Sequence, residues 1–216
     1  MSAADKQHVL YGAAGSGSAA VEVALEWAGV GFRAVDAATW LPGPGLDALK
    51  RVNPLAQVPT LVLPDGNVLS ESAAILIHLG LMHPKSGLLP AAPGVRAQAL
   101  RALVFVASNC YAAVSVSDYP ERWCSQPDAA TSARVRRAAR TQLRRAWTIF
   151  AAQFEGQPYL FGAQPTAADL LAAVVSKWSG ARAHLQKSQP RLLATLQLVE
   201  AHPAVAPVFA RHWPAG

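Results

Sequence analysis

Between Asn53 and Ile75 the chain reads N-P-L-A-Q-V-P-T-L-V-L-P-D-G-N-V-L-S-E-S-A-A-I, and the residue types in this stretch can do chemistry. Pro59 has no amide hydrogen, so the Val58-Pro59 bond suits a tight turn, with a cis bond open to it, that leaves the Val58 backbone free. Asp65-Gly66 is turn chemistry between two β-rich runs, Thr60–Leu63 and Asn67–Leu69, and predicts a hairpin. Glu71 and Ser72 fall at the start of an apolar helix, where free amides and the helix dipole attract a carboxylate. A free backbone edge beside an anion pocket describes a binding site for a small peptide.

The elements that must hold this site alternate between strand and helix. Val9–Tyr11 and Phe32–Val35 read as strands. Between them, Ser18–Ala28 reads as a helix with Val21, Ala24, Leu25 and Ala28 on one face and Gly29 at its C-cap. A poorly ordered Gly/Pro-rich segment, Leu41–Gly45, leads into a short helix ending near Val52, and the helix Ser72–Gly80 follows the hairpin. Ser86–Gly94, S-G-L-L-P-A-A-P-G, is a linker. Beyond it everything is helical, with Val95–Ser117 and Thr131–Glu155 as the long helices. Thr166 and Asp169, three apart ahead of Leu170-Leu171, form a capping-box variant with Asp in place of Glu or Gln.

Q-V-P-T-L followed in order by E-S-A-A-I resembles the glutathione-binding domain of the cytosolic glutathione transferases, bacterial in type and serine- or beta-like in class. The resemblance covers nearly the whole chain. It implies an α/β thioredoxin-like N-terminal domain plus an all-α C-terminal domain: residues 1–86, a linker at 87–93, and residues 94–216. It implies that the Val58 backbone pairs with the cysteinyl part of glutathione, with Pro59 setting the geometry. Ser72 would hold the γ-glutamyl carboxylate, Glu71 would meet the ammonium group, and Gln57 would reach the glycyl end. The Thr166/Asp169 box carries over as structural.

The reaction the resemblance implies is conjugation: attack by the glutathione thiolate on a small hydrophobic electrophile, with glutathione as co-substrate and no metal. A free thiol has a pKa near 8.5. Lowering it by ~2 units takes roughly 2.7 kcal/mol of preference for the anion, within reach of a hydroxyl donor and a helix N-terminus. The family places such a donor just after the first strand, and L-Y-x-x-x-G-S points to Ser16. Counting back from Gly29 instead puts Gly17 where the cysteine-using bacterial class has its Cys, and leaves Tyr11 as a counterpart of the tyrosine used elsewhere. Tyr11 also reads as a packed strand residue, and Ser18 as the N-cap of the first helix. The electrophile pocket would be lined by Asn109, Tyr111, Tyr119 and Trp123, with Trp178 and Trp213 as further aromatics.

Other readings are weaker. Gly15-Ser16-Gly17-Ser18-Ala19-Ala20 fits G-x-G-x-x-A, with Asp36 about twenty residues on. A dinucleotide fold, however, needs more parallel strands, and here a hairpin follows. The net charge of +6 and the arginines at 134, 136, 137, 140, 144 and 145 invite nucleic acid. Val135, Ala139, Leu143, Trp147, Phe150 and Phe154 recur at helical steps through the same segment, so the arginines read as its solvated face and no nucleic-acid partner is expected.

A content of 52% hydrophobic and 15% charged residues argues against disorder. Two cysteines outside any C-x-x-C point to a reduced cytoplasmic compartment and away from thioredoxin chemistry. The scattered histidines, with His78 and His83 at a helix end, suggest no metal site. Met1–Lys6 has no apolar signal core, and the uncharged run Ala102–Ser117 is too short to span a bilayer, so no membrane partner is expected. A homodimer follows from the resemblance alone. The alternatives are a weakly catalytic or non-catalytic binding or interaction module on the same fold, and a glutathione-dependent disulfide or peroxide reductase.

Overall fold

The computed structural model describes residues 7–214; the Met1–Lys6 segment lies outside them. Four strands, β1 (His8–Gly12), β2 (Phe32–Asp36), β3 (Thr60–Val62) and β4 (Val68–Leu69), form one sheet in the order β2-β1-β3-β4. β1 runs parallel to β2, with Tyr11 opposite Val35, and antiparallel to β3, with Tyr11 opposite Thr60. The β3–β4 hairpin closes over Asp65-Gly66, where Asp65 Oδ1 accepts from the Asn67 N–H at 2.9 Å. The paired strands are each shorter than the β-rich runs, because Leu63 and Asn67 take the turn's own hydrogen bond.

Alternation along β1 sends neighbouring side chains to opposite faces. Tyr11 packs with Ala37 and Leu49 under α2 (Pro44–Val52), as a core residue. Leu10 and Leu61 face α1 (Ser18–Trp27) and α3 (Ser72–Met82). The segment expected to be irregular to Gly45 turns helical at Pro44, whose fixed φ suits a first turn. Gly45 is required there: a Cβ on it would sit 1.8 Å from the Asp36 carbonyl oxygen.

α1 departs from its expected one-sided burial. Ser18, Ala19, Ala20, Val21, Val23, Ala24 and Leu25 are all buried, because helices of the second half cover the side turned away from the sheet. Its C-terminus is a Schellman motif: Gly29, at φ 68°, donates to Glu26 O, and Val30 donates to Leu25 O.

The second half is helical: α4 (Pro93–Phe105), α5 (Ala112–Asp118), α6 (Ala129–Gln153), α7 (Ala167–Val175), α8 (Ala181–Ser188), α9 (Pro190–Ala201) and α10 (Ala206–His212). A π turn, Val106–Tyr111, joins α4 to α5 into a 26-residue stretch, Pro93–Asp118, rather than Val95–Ser117. By length and composition alone that stretch could cross a membrane, although the uncharged run within it is shorter. Here Ala99, Ala102, Leu103, Val106, Cys110 and Val114 line the protein core. α6 starts two residues early because Asp128 caps it, accepting from Thr131 N–H at 2.6 Å.

Ala139, Leu143, Trp147 and Phe150 form the buried face of α6 as its spacing predicts, with Val135 half-buried and the C-cap residue Phe154 buried beyond its end. Its arginines are not all solvated. Arg136 and Arg140 reach Ser117, donating to the carbonyl at 3.0 Å and the hydroxyl at 3.3 Å. The nine residues of α7 are all buried, and the Asp169 carboxylate at its start accepts from Thr166 N–H and Oγ1 and from Leu160 N–H. One contiguous core runs from Leu10 and Leu61 through α1, α3 and α7 to Trp147 and Phe209, so both halves share it.

Candidate functional site

The peptide-binding half of the site is built from contiguous chain. Asn53 Nδ2 donates to Thr60 Oγ1 at 2.8 Å, and Thr60 Oγ1 donates to the Gln57 carbonyl at 2.8 Å. These bonds pin the exposed Gln57 and the half-buried Val58 ahead of β3. The Val58-Pro59 bond is cis. Among the described residues the Val58 N–H and C=O join no backbone ladder or turn.

Glu71 follows β4 at φ 63° and ψ 108°, a conformation an L side chain adopts at a cost on the order of 1–3 kcal/mol. Its carbonyl opens α3 by accepting from Ile75 N–H. The acidic partners of the described ion pairs are Glu22, Glu26, Glu155 and Glu200, and Glu71 is not among them. Ser72 is buried at 5% exposure in the first turn of α3. An exposed carboxylate, a buried hydroxyl and free helix amides together suit an amino-acid end, ammonium and carboxylate at once.

The other half gathers at the start of α1. Ser16 and Ser18 are both buried. Ser16 Oγ donates to Ala13 O at 2.7 Å and lies 2.8 Å from Ser18 Oγ, and Ser18 N–H donates to Ser16 Oγ. Ser18 Oγ also accepts from Ala13 N–H at 3.2 Å. Ser18 is therefore the first helical residue bracing the loop, with Gly17 in the N-cap place expected of it.

Over this loop stands Tyr111, the last residue of the π turn. A Cβ on Gly17 would lie 2.4 Å from its phenol oxygen, so the hydroxyl sits against the backbone of that residue. Burial pushes the phenol up to about 12, helped by the charge of Glu71. The ring packs on Trp178 with centroids 5.4 Å apart. Trp213 Nε1 lies 3.7 Å from where a Gly15 Cβ would be, and Lys177 Nζ sits 4.8 Å from the centre of the Trp213 ring.

The remaining pocket candidates separate. Tyr119 is half-buried under the Arg122 guanidinium, 4.0 Å from the ring centroid. Trp123 is 61% exposed on a short 3₁₀ turn. Asn109 is exposed and donates to Phe105 O of its own helix, two positions from Tyr111 and so on another face.

Behind the loop, Glu22 of α1 is bonded to His212 Nε2 at 2.8 Å and to Arg211, and Arg211 also reaches Glu26. Burial pushes Glu22 up, but the bonds from His212 and Arg211 outweigh it and hold its carboxyl below the usual range. This clamp was not legible in the sequence; the signal available was two glutamates four apart on an otherwise apolar helix. A cavity of about 580 Å³ lies elsewhere, between the end of α6 and α9, and its charged groups Glu155 and Arg191 pair with each other at 3.0 Å. No cluster of metal-ligating side chains occurs among the described residues.

Residues 18–81 match the glutathione S-transferase N-terminal domain and residues 133–211 the C-terminal domain. A solved glutathione transferase from Methylococcus capsulatus is 31% identical, over 94% of this chain and 97% of that one, with a TM-score of 0.74. The chain belongs to the glutathione S-transferase family. A transferase homologue from Sulfitobacter, solved with bound glutathione, shares 25% identity over 94% of this chain and 97% of its own, with a TM-score of 0.81. An uncharacterised GST-like protein of Escherichia coli K12, YncG, is 29% identical over 94% of this chain and 97% of its own. In this transferase-family chain the N-terminal match holds Val58, Pro59, Glu71 and Ser72. Ser16, Gly17 and Tyr111 fall outside both matched spans.

Proposed function

We propose that the protein binds glutathione along Val58, Glu71 and Ser72 and conjugates its thiolate to small hydrophobic electrophiles. The observation that carries this reading is the pairing of an unladdered Val58 backbone with a buried Ser72 hydroxyl at a helix N-terminus. The Val58 N–H and C=O meet the cysteinyl residue as a short antiparallel ladder. Ser72 and the first α3 amides receive the γ-glutamyl carboxylate, and Glu71 its ammonium group. Gln57, exposed beside them, reaches the glycyl end.

The cysteinyl thiol then points toward the N-terminus of α1, where Ser16, Ser18 and Tyr111 supply hydroxyls. In the reaction the thiol proton leaves to water, the sulfur forms a bond to an electrophilic carbon, and the leaving group departs with its bonding pair. Tyr111, Trp178 and Trp213 offer the electrophile an aromatic wall, with Tyr119, Trp123 and Asn109 farther out. The domains divide at 1–86 and 94–216, and the working form is a cytoplasmic homodimer.

Calorimetric titration with reduced glutathione, on the wild type and on Ser72→Ala, tests the site. Binding that weakens at least tenfold in the variant, followed by turnover in an electrophile panel, supports transfer. Absence of binding to the wild type removes the reading. A second reading, a binding module with little catalysis, draws on the Ser16 hydroxyl bonded into its own turn; binding without turnover across the panel would favour it.

A further inference from the structure

We propose that Tyr111, carried by the helical half, is the hydroxyl that stabilises the glutathione thiolate, in place of a residue of the loop after β1. The inference rests on the glutathione reading above.

Space is the first argument. A Cβ on Gly17 would meet the Tyr111 hydroxyl at 2.4 Å and two ring carbons at 3.2 Å. The phenol thus fills the volume that a side chain at position 17 would take, at the mouth of α1 where the helix dipole already favours an anion. The loop has yielded its own side chain there, and a group from across the shared core stands in its stead.

Hydrogen-bond capacity is the second. Among the described residues the Tyr111 hydroxyl donates to no protein group, which leaves its proton available to a ligand. The loop serines are placed differently. Each hydroxyl has one proton, and Ser16 directs its own to Ala13 O at 2.7 Å, while Ser18 has Ser16 Oγ at 2.8 Å and Ala13 O at 3.2 Å. For Ser16 to serve the sulfur it must abandon a short bond in a buried turn and leave the Ala13 carbonyl without it.

Position and protonation complete the case. Tyr111 feels the charge of Glu71, the residue read as meeting the ammonium group of glutathione. Burial keeps the phenol protonated across the physiological range, as a donor must be and a base must not. Trp178 and the π turn hold the ring, and π turns inside helices recur at functional sites. In the step itself the phenol proton stays on Tyr111. The thiol proton passes to water, the thiolate keeps its hydrogen bond to Oη until the carbon–sulfur bond forms, and the leaving group takes its electron pair away.

The test is an ultraviolet pH titration of the thiolate band of enzyme-bound glutathione, on the wild type, Tyr111→Phe and Ser16→Ala. Calorimetric affinity is measured alongside at pH 5.5, where the thiol is protonated in every form. The expected result is a midpoint raised by about one unit or more in Tyr111→Phe, the mark of a lost bond to a charged acceptor, with affinity at pH 5.5 within about threefold of wild type. A structural role for the ring would not move the midpoint while sparing that affinity. Gly17→Ala, which retains the phenol but pushes it away from the mouth of α1, should raise the midpoint in the same direction.

If both variants bind glutathione with the wild-type midpoint, the assignment to Tyr111 falls while the glutathione site stands. A shift found in Ser16→Ala alone returns the role to Ser16 and equally overturns it. If the wild type binds no glutathione, the underlying reading fails and this inference with it.

Discussion

Gly17 and Tyr111 share one volume: the phenol oxygen sits 2.4 Å from the only place a side chain on residue 17 could begin. Gly17 has φ −62° and ψ −13°, ordinary helical values, so its lack of a side chain answers to this contact and not to backbone freedom. Gly17→Ala should therefore cost little stability, about 1 kcal/mol, because the tip of Tyr111 can swing away. Its effect on turnover should be non-additive with Tyr111→Phe: the double variant should be no slower than the slower single variant. A double-mutant cycle on kcat/KM checks this, and full additivity would show that the two residues act separately.

Ser72→Ala should weaken glutathione binding by about 10- to 100-fold, the equivalent of ~1.5–3 kcal/mol for a hydrogen bond to a charged group. Its melting temperature should change little, since among the described residues the hydroxyl makes no intramolecular hydrogen bond. Calorimetry and thermal melts of the same preparation separate the two effects.

The α1–α10 clamp gives a pH dependence with a definite sign. Glu22 is held below its ordinary value of 4.5 in the folded protein. It therefore contributes stability above that value, and the contribution fades as pH falls through the folded pKa. Glu22→Gln should cost about 1 kcal/mol at pH 7, a figure already reduced for screening at a partly open side chain. The wild type and variant should converge toward pH 3. Urea unfolding at the two pH values tests it; an equal gap at both would mean the loss is packing and not charge.

Asp169 accepts three hydrogen bonds, from Thr166 N–H, Thr166 Oγ1 and Leu160 N–H, at 0% exposure. Asp169→Ala strands those donors in the core and should destabilise by roughly 3 kcal/mol or more. Because this carboxylate holds the Leu160 N–H against the start of α7, early proteolysis near Tyr159–Phe161 should accompany the loss.

Gly45→Ala forces a Cβ to within 1.8 Å of the Asp36 carbonyl oxygen, a backbone atom with no flexible end to move. The start of α2 must shift away from β2, at about 2–3 kcal/mol. Chemical denaturation should show it. Wild-type stability in this variant would mean that α2 does not pack this closely on the strand.

The local structure of residues 53–75 was legible because each of its parts is short-range. A proline, a two-residue turn and a Ser at a helix start impose their geometry within a few residues, so the cis Val58-Pro59 bond, the β3–β4 hairpin and Ser72 in the first turn of α3 form as read. The Thr166/Asp169 box and the buried face of α6 were legible for the same reason: caps and helical periodicity are short-range rules.

What only the tertiary structure decided is the reacting end. A π turn shifts the face presented by α5, and that rotation, invisible to a 3.6-residue count, carries Tyr111 toward Gly17 and leaves Asn109 on another face. The burial of α1 all round, and the answer of Arg211 and His212 to Glu22, depend on how the second half packs against the first. Such contacts join side chains from distant segments, and their partners are chosen by the close packing of a shared core, which no local pattern along the chain encodes.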